Sequence, residues 1–264
     1  MAKSPAPPSS KPSFKLTKCI ITFSWHFIWL WLTLIISLWF SWQLLSKIDF
    51  GYPFWYQYGG IKNHIETYAP QNRYKLHFET TDDAQRQNLF HQIAQAVQLP
   101  PPQAQKQLKN LYYTPANGQK IPLLTAPEIQ HLIDVSQLIQ KLNAIGQSLA
   151  LIWIGLTLWR LLKKHPFPNG KTTLWTFLIG LGSLLAILAL LGPTQVFYQL
   201  HHWLFPPEHP WFFYYQESLM TTLMAAPLLF GQITLLLLIT SLGLLGLIWK
   251  IFHRLTCIPP QNCG

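Results

Sequence analysis

The stretch "TAPEIQHLIDVSQLIQKLNAIGQSLALIWIGLTLWRLL", Thr125–Leu162, changes character halfway along. It opens with helix-start signals: Thr125 as N-cap, Pro127 in the first turn, and Glu128 three residues on to close a capping box. From Leu142 to Leu162 it is apolar and long enough to cross a bilayer, which takes ~20 residues as helix. The stretch therefore predicts a helix that starts in water and runs straight into a membrane.

Three other segments meet the same length criterion: Cys19–Trp42, Thr173–Gly192 and Leu228–Phe252. None of the four contains an acid. Half of the 264 residues are apolar and only 11% are charged, which is too apolar for a water-soluble chain of this length. The first segment is too long for a signal peptide and no small-x-small cleavage site follows it, so it is expected to stay as an anchor.

Charge placement predicts the orientation. The tail 1–18 carries Lys3, Lys11, Lys15 and Lys18, the loop 163–172 carries Lys163, Lys164 and Lys171, and the end carries Lys250 and Arg254. All nine acids lie in the other two connections, 43–141 and 193–227. By the positive-inside rule the basic parts face the cytoplasm and the acid-bearing parts face outward. The formal charge of +10 is thus a topology signal, and nucleic acid is excluded as a partner.

The expected fold class is a mainly α integral membrane protein with four transmembrane helices and both termini cytoplasmic. In order it has a disordered basic tail (1–18), span 1 (19–42), a small α+β extracytoplasmic domain (43–141) and span 2 (142–162). A basic cytoplasmic loop (163–172), span 3 (173–192), an outer His/aromatic loop (193–227), span 4 (228–252) and a cytoplasmic tail (253–264) follow. Cys19, Cys257 and Cys263 fall on the cytoplasmic side, where thiols stay reduced.

Within the outer domain, the aromatics of "IDFGYPFWYQYGG" suit a belt at headgroup level. "RYKLHFETT", 73–81, alternates enough to predict a strand. Residues 82–99 read as an amphipathic helix with Leu89, Phe90, Ile93, Ala94 and Val97 at helical spacing, ended by Pro100–Pro102. A hairpin is expected around Asn117–Gly118.

Two constellations carry chemistry. Glu128, His131 and Asp134 lie at i, i+3, i+6 on neighbouring parts of one helix face, where a carboxylate can orient an imidazole. The plain alternative is a capping acid, a surface histidine and a solvated aspartate. The second is "YQLHHWLFPPEHPWFFYYQE", Tyr198–Glu217, with His201, His202 and His209 among aromatics. Trp203, Trp211, Tyr214 and Tyr215 suit an interfacial cover, which accounts for the aromatics but not for the histidines. A metal held by His201, His202, Glu208 and His209 is the lesser reading, because no HExxH pattern is present. No metal or other cofactor is expected.

"EIQHLIDV", "FYQLHHWLF", "ESLMTTLMAAPLLF" and "GYPFWYQYGG" together resemble the lipoprotein intramolecular transacylase family, over about residues 20 to 235. The resemblance implies a four-span protein of the bacterial inner membrane, with its site facing outward. It implies movement of an ester-linked acyl chain of a diacylglyceryl-cysteine to that cysteine's own α-amine. The partners would be the bilayer and a diacylglyceryl-modified lipoprotein N-terminus. The family's two outward histidines match His131 and, counting back from "LF", His201, with His202 one register step away. Under this reading His131 is the base and His201 the acid or oxyanion donor. Glu128, Asp134, His202 and Glu217 support them, and Trp203, Trp211 and Tyr214 line the substrate site. Glu217 stands where the family has aspartate. The competing reading is a non-enzymatic membrane module whose outer domain binds an envelope partner.

Overall fold

The computed structural model describes residues 13–163, 170–226 and 228–256. The first twelve residues, 164–169 of the basic loop, and the end from Cys257 onward, with Cys263, lie outside them. Four helices are long and apolar enough to cross a membrane, with windows Phe27–Ser46, Ala126–Leu162, Leu174–Leu191 and Leu228–Arg254. They belong to α1 (Ser13–Ser46), α6 (Ala126–Leu162), α7 (Gly170–Leu191) and α10 (Leu228–Thr256). Helix α1 begins at Ser13, inside the stretch expected as tail.

Helix α1 is the central post, packed against α6, α7 and α10. A polar tip inside an apolar bundle needs a partner, because lipid offers none. Trp29 Nε1 donates to Thr157 Oγ1 at 2.9 Å, and Trp153 Nε1 donates to Thr33 Oγ1 at 2.8 Å. Nearer the end of α1, Trp39 Nε1 and Gln43 Nε2 both donate to Asn143 Oδ1, at 3.2 and 2.5 Å. This α1–α6 contact depends on Gly146. A Cβ there would stand 2.4 Å from the Trp39 ring.

The connection between α1 and α6 holds α2 (Tyr52–Tyr58), α3 (Ile61–Tyr68), α4 (Asp83–Ala96) and α5 (Pro101–Lys109). It also holds the antiparallel strands β1 (Tyr112–Tyr113) and β2 (Ile121–Pro122). The hairpin forms around Asn117–Gly118 as expected, with Gly118 at φ 77. Its strands are only two residues long, so the domain is mostly helical where α+β was expected.

Three local expectations need correction. Residues 73–81 form no strand: the Asn72 side chain accepts from the N–H groups of Tyr74 and Lys75 and curls the chain. His77 then turns left-handed at φ 64, and Phe78 drops into the core against Tyr113. The proline run ends one helix but also starts another, since Pro101 and Pro102 sit in the first turn of α5 where no N–H is needed. In the aromatic run after span 1, Tyr52 and Tyr56 are fully buried. Tyr52 stacks on Phe90 and donates to the Leu223 carbonyl at 2.8 Å, while Tyr56 donates to Asp83 at 2.7 Å. Phe54 and Tyr58 remain exposed.

Helix α6 is continuous from Ala126 to Leu162, as its sequence predicted. Its polar first half packs on α5 and the turn before it, with Ser136 and Gln140 donating to the Leu99 and Gln98 carbonyls. The other three apolar helices end differently. Helix α7 stops at Leu191, and Gly192 at φ 82 with Pro193 redirects the chain into α8 (Pro193–Leu204). After a loop, α9 (Leu219–Met224) leads to α10.

Gly146→Leu is expected to destabilise the bundle by about 1–3 kcal/mol, because its side chain must displace Trp39 in a packed contact. A thermal midpoint in detergent well below wild type checks this; an unchanged midpoint contradicts the packing described.

Candidate active site

Helix α6 presents its polar turn toward the chain between α8 and α9. The turn starts at a capping box whose acid does double duty. Glu128 is 1% exposed and accepts from Thr125 N–H at 2.5 Å and Thr125 Oγ1 at 2.7 Å. Its other oxygen takes the hydroxyl of Ser218, itself the N-cap of α9, at 2.5 Å. Glu128 therefore fastens the start of α6 to the start of α9 and does not touch His131.

His131 follows three residues later and is largely buried. Its ring meets Phe205 edge-on at 5.1 Å and Phe213 at 6.1 Å between centroids. Its Nδ1 is buried with no hydrogen-bond partner among the described residues. The position lies above the apolar run from Leu142 that we read as the span. Burial, then the nearby His201, push His131 down to about 4, against the upward pull of Asp134 one turn on.

His201, near the end of α8, shares a neighbour with His131. Its ring lies 5.4 Å from Phe205, 4.1 Å from Phe197 and 4.6 Å from Trp211. Its Nδ1 lies 2.8 Å from the Phe197 carbonyl oxygen, which can only accept. The proton is thus assigned to Nδ1, leaving Nε2 as the acceptor of the neutral ring. Burial lowers its pKa, while the Phe197 carbonyl pulls it back up. His202 points away, exposed, with only an edge contact to Trp211. Adjacent helical residues diverge by ~100°, so one of the two faces the α6 histidine and the other does not.

Asp134 has a different partner from the one expected. It is 9% exposed, accepts from Gln130 Nε2 at 3.1 Å, and pairs with His209 Nδ1 at 2.7 Å. The sequence reading gave His209 a place only in the lesser metal reading. Its flanking prolines, Pro206, Pro207 and Pro210, mark a fixed loop, but nothing in the sequence points from it to Asp134.

The remaining candidates lie on the rim. Glu217 pairs loosely with Arg73 at 3.7 Å. Trp203 is 74% exposed and Tyr214 62%. Trp211 is the aromatic that closes on both His201 and His202. Tyr215, expected in the cover, packs on His64 and Tyr68 and donates to the Ala226 carbonyl. Among the described residues no group of three or more His, Cys, Asp or Glu side chains converges to hold a metal.

Compared with known families, residues 20–227 match the model of the lipoprotein intramolecular transacylase Lit. The match covers most of the chain, and the protein belongs to that family. Comparison with curated proteins and with solved structures gives no match.

The depressed His131 pKa has a definite sign. The unfolded chain takes up the proton near 6.5 and the folded chain only near 4, so stability falls as pH drops through that window. His131→Gln is expected to flatten the fall. Thermal midpoints of both proteins between pH 7 and pH 4 check it; parallel curves contradict it.

Proposed function

We propose that this family member moves one ester-linked acyl chain of a diacylglyceryl-cysteine from the glycerol to the cysteine's own α-amine. We further propose that the reaction occurs at the outer face of the bacterial inner membrane. The observation that carries this reading is the convergence of His131 from α6 and His201 from α8 on Phe205, beneath an aromatic cover. Chemistry of this type asks for little more than two correctly placed imidazoles.

In the reaction the amine nitrogen bonds to the ester carbonyl carbon, and the carbon–oxygen bond to glycerol breaks. The proton lost by nitrogen ends on the glycerol oxygen. A base must accept that proton and return it, and a donor must meet the oxyanion of the tetrahedral intermediate. The geometry favours exchanging the roles expected from sequence. His201 has its Nδ1–H fixed on a carbonyl, so its Nε2 is the acceptor and suits the base. His131 is held neutral by burial and carries a nitrogen with no partner among the described residues, which suits an uncharged donor to the oxyanion. Because nucleophile and ester belong to one molecule, positioning alone removes much of the barrier.

The orientation follows from the same basic loops. Glu128, His131 and His201 all lie beyond span ends opposite Lys163 and Arg254, which the positive-inside rule keeps in the cytoplasm. The apolar faces that α7 and α10 leave uncovered then meet lipid.

Tandem mass spectrometry of lipoprotein N-terminal peptides, with and without this chain, is the direct test. The shift leaves the mass unchanged and moves one acyl group onto nitrogen; identical fragmentation in both samples rejects the reading. His131→Ala and His201→Ala are each expected to lower the rate by about 10²–10⁴-fold, as loss of a general acid, base or oxyanion donor does. His202→Ala is expected to stay near wild type. Full activity in either of the first two variants rejects the assignment.

Topology is tested separately, by single cysteines placed in a chain whose native cysteines are replaced. Asn117→Cys, at the exposed hairpin of the connection between α1 and α6, is expected to react with an impermeant maleimide in spheroplasts, and the exposed Lys163→Cys only after permeabilisation. The reverse pattern overturns the orientation.

A further inference from the structure

We propose that His209 is a positioning residue for this site: bonded to Asp134, it pins the aromatic loop against His131 and His201. The inference rests on the acyl-shift reading above. It assigns a role to the histidine between α8 and α9, which the reaction itself does not use.

The loop between α8 and α9 has few means of holding its own shape. Pro206, Pro207 and Pro210 lack N–H groups. Its internal backbone bonds run from His209 N–H to the Pro206 carbonyl, and from the N–H groups of Glu217 and Ser218 to the Tyr214 carbonyl. The far end is tied down: Arg73 N–H donates to the Gln216 carbonyl at 2.8 Å, and Ser218 donates to Glu128. The near end continues from α8. Between them stand the residues that touch the histidines, Phe205, Trp211 and Phe213.

His209 lies in the middle of that set, four residues after Phe205 and two before Trp211. Its bond to Asp134 spans 75 positions of sequence and reaches the turn of α6 that carries His131. Asp134 is itself nearly buried, with Gln130 as its other donor. A buried carboxylate stripped of one of two donors is left short of hydrogen bonds, so the pair holds from both sides. With Gln130 on one oxygen and His209 on the other, both oxygens of Asp134 are engaged away from the His131 ring. His209 thus keeps the aromatic cover in place and keeps His131 unbound by its nearest acid. Support of this kind, one step removed from the reacting groups, is worth tenfold to hundredfold in comparable sites.

The test compares wild type with His209→Ala and His209→Asn, purified in detergent, on a synthetic diacylglyceryl-cysteine lipopeptide. Asparagine keeps an N–H donor near the position of Nδ1. His209→Ala is expected to lower kcat by about tenfold or more, as mispositioning does, with a smaller change in KM, and His209→Asn to recover most of it. Freed Asp134 then reaches His131, and the acid limb of kcat moves to higher pH in the alanine variant. Hydrogen exchange over residues 205–217 rises in His209→Ala and not in His209→Asn. An active wild type with an equally active His209→Ala overturns this proposal alone. The same holds for a loss that scales only with the amount of folded protein and leaves the acid limb unmoved. A wild type that shifts no acyl group overturns the reading beneath it.

Discussion

A buried carboxyl group needs hydrogen-bond partners, and Glu128 obtains all of its donors from two helix starts. It caps α6 through Thr125 and reaches across to the N-cap of α9 through Ser218. That single side chain ties the start of α6 to the start of α9. It also fixes where the loop before α9 must end. The face bearing His131 and Asp134 has a defined height because the helix carrying it starts at a defined point. Everything between α8 and α9 is then stretched over that face.

The parts that follow are graded by how far apart in the chain their partners lie. Helix α6 was legible as one rod because its cap, its polar turn and its apolar run are contiguous. The four apolar segments were legible for the same reason. The amphipathic helix at 82–99 was read from periodicity and is found as α4, Asp83–Ala96. Residues 73–81 failed because alternation in a short run cannot see an Asn72 side chain capturing two N–H groups. Tyr52 and Tyr56 look like interfacial residues by type, and only the folded domain supplies the Leu223 carbonyl and Asp83 that draw them inward.

The site divides along the same line. His131 and His201 stood out through a resemblance, and the structure has them share Phe205. The acids were misallocated by local spacing. Glu128 and Asp134 sit beside His131 in sequence, yet each gives one oxygen to a near neighbour on its own helix start or turn and the other to a residue 75 or more positions away. The reason is geometric: side chains on one helix face compete for partners arriving from elsewhere, and a capped turn already directs Glu128 backward. His209 is invisible to any pattern search, since a lone histidine between prolines has no motif.

The break at Gly192–Pro193 separates two jobs that a continuous helix would have joined. Helix α7 must match the thickness of whatever bilayer it occupies, and α8 must hold His201 at a fixed offset from α6. With a left-handed glycine at the joint, the register of one is not transmitted to the other. The Phe197, His201 and Trp211 contacts hold α8 against the loop that follows it. The third apolar helix and α8 are therefore two rods with separate anchorages, α7 on α1 through Trp31 and Phe177 and α8 on the aromatic loop that follows it.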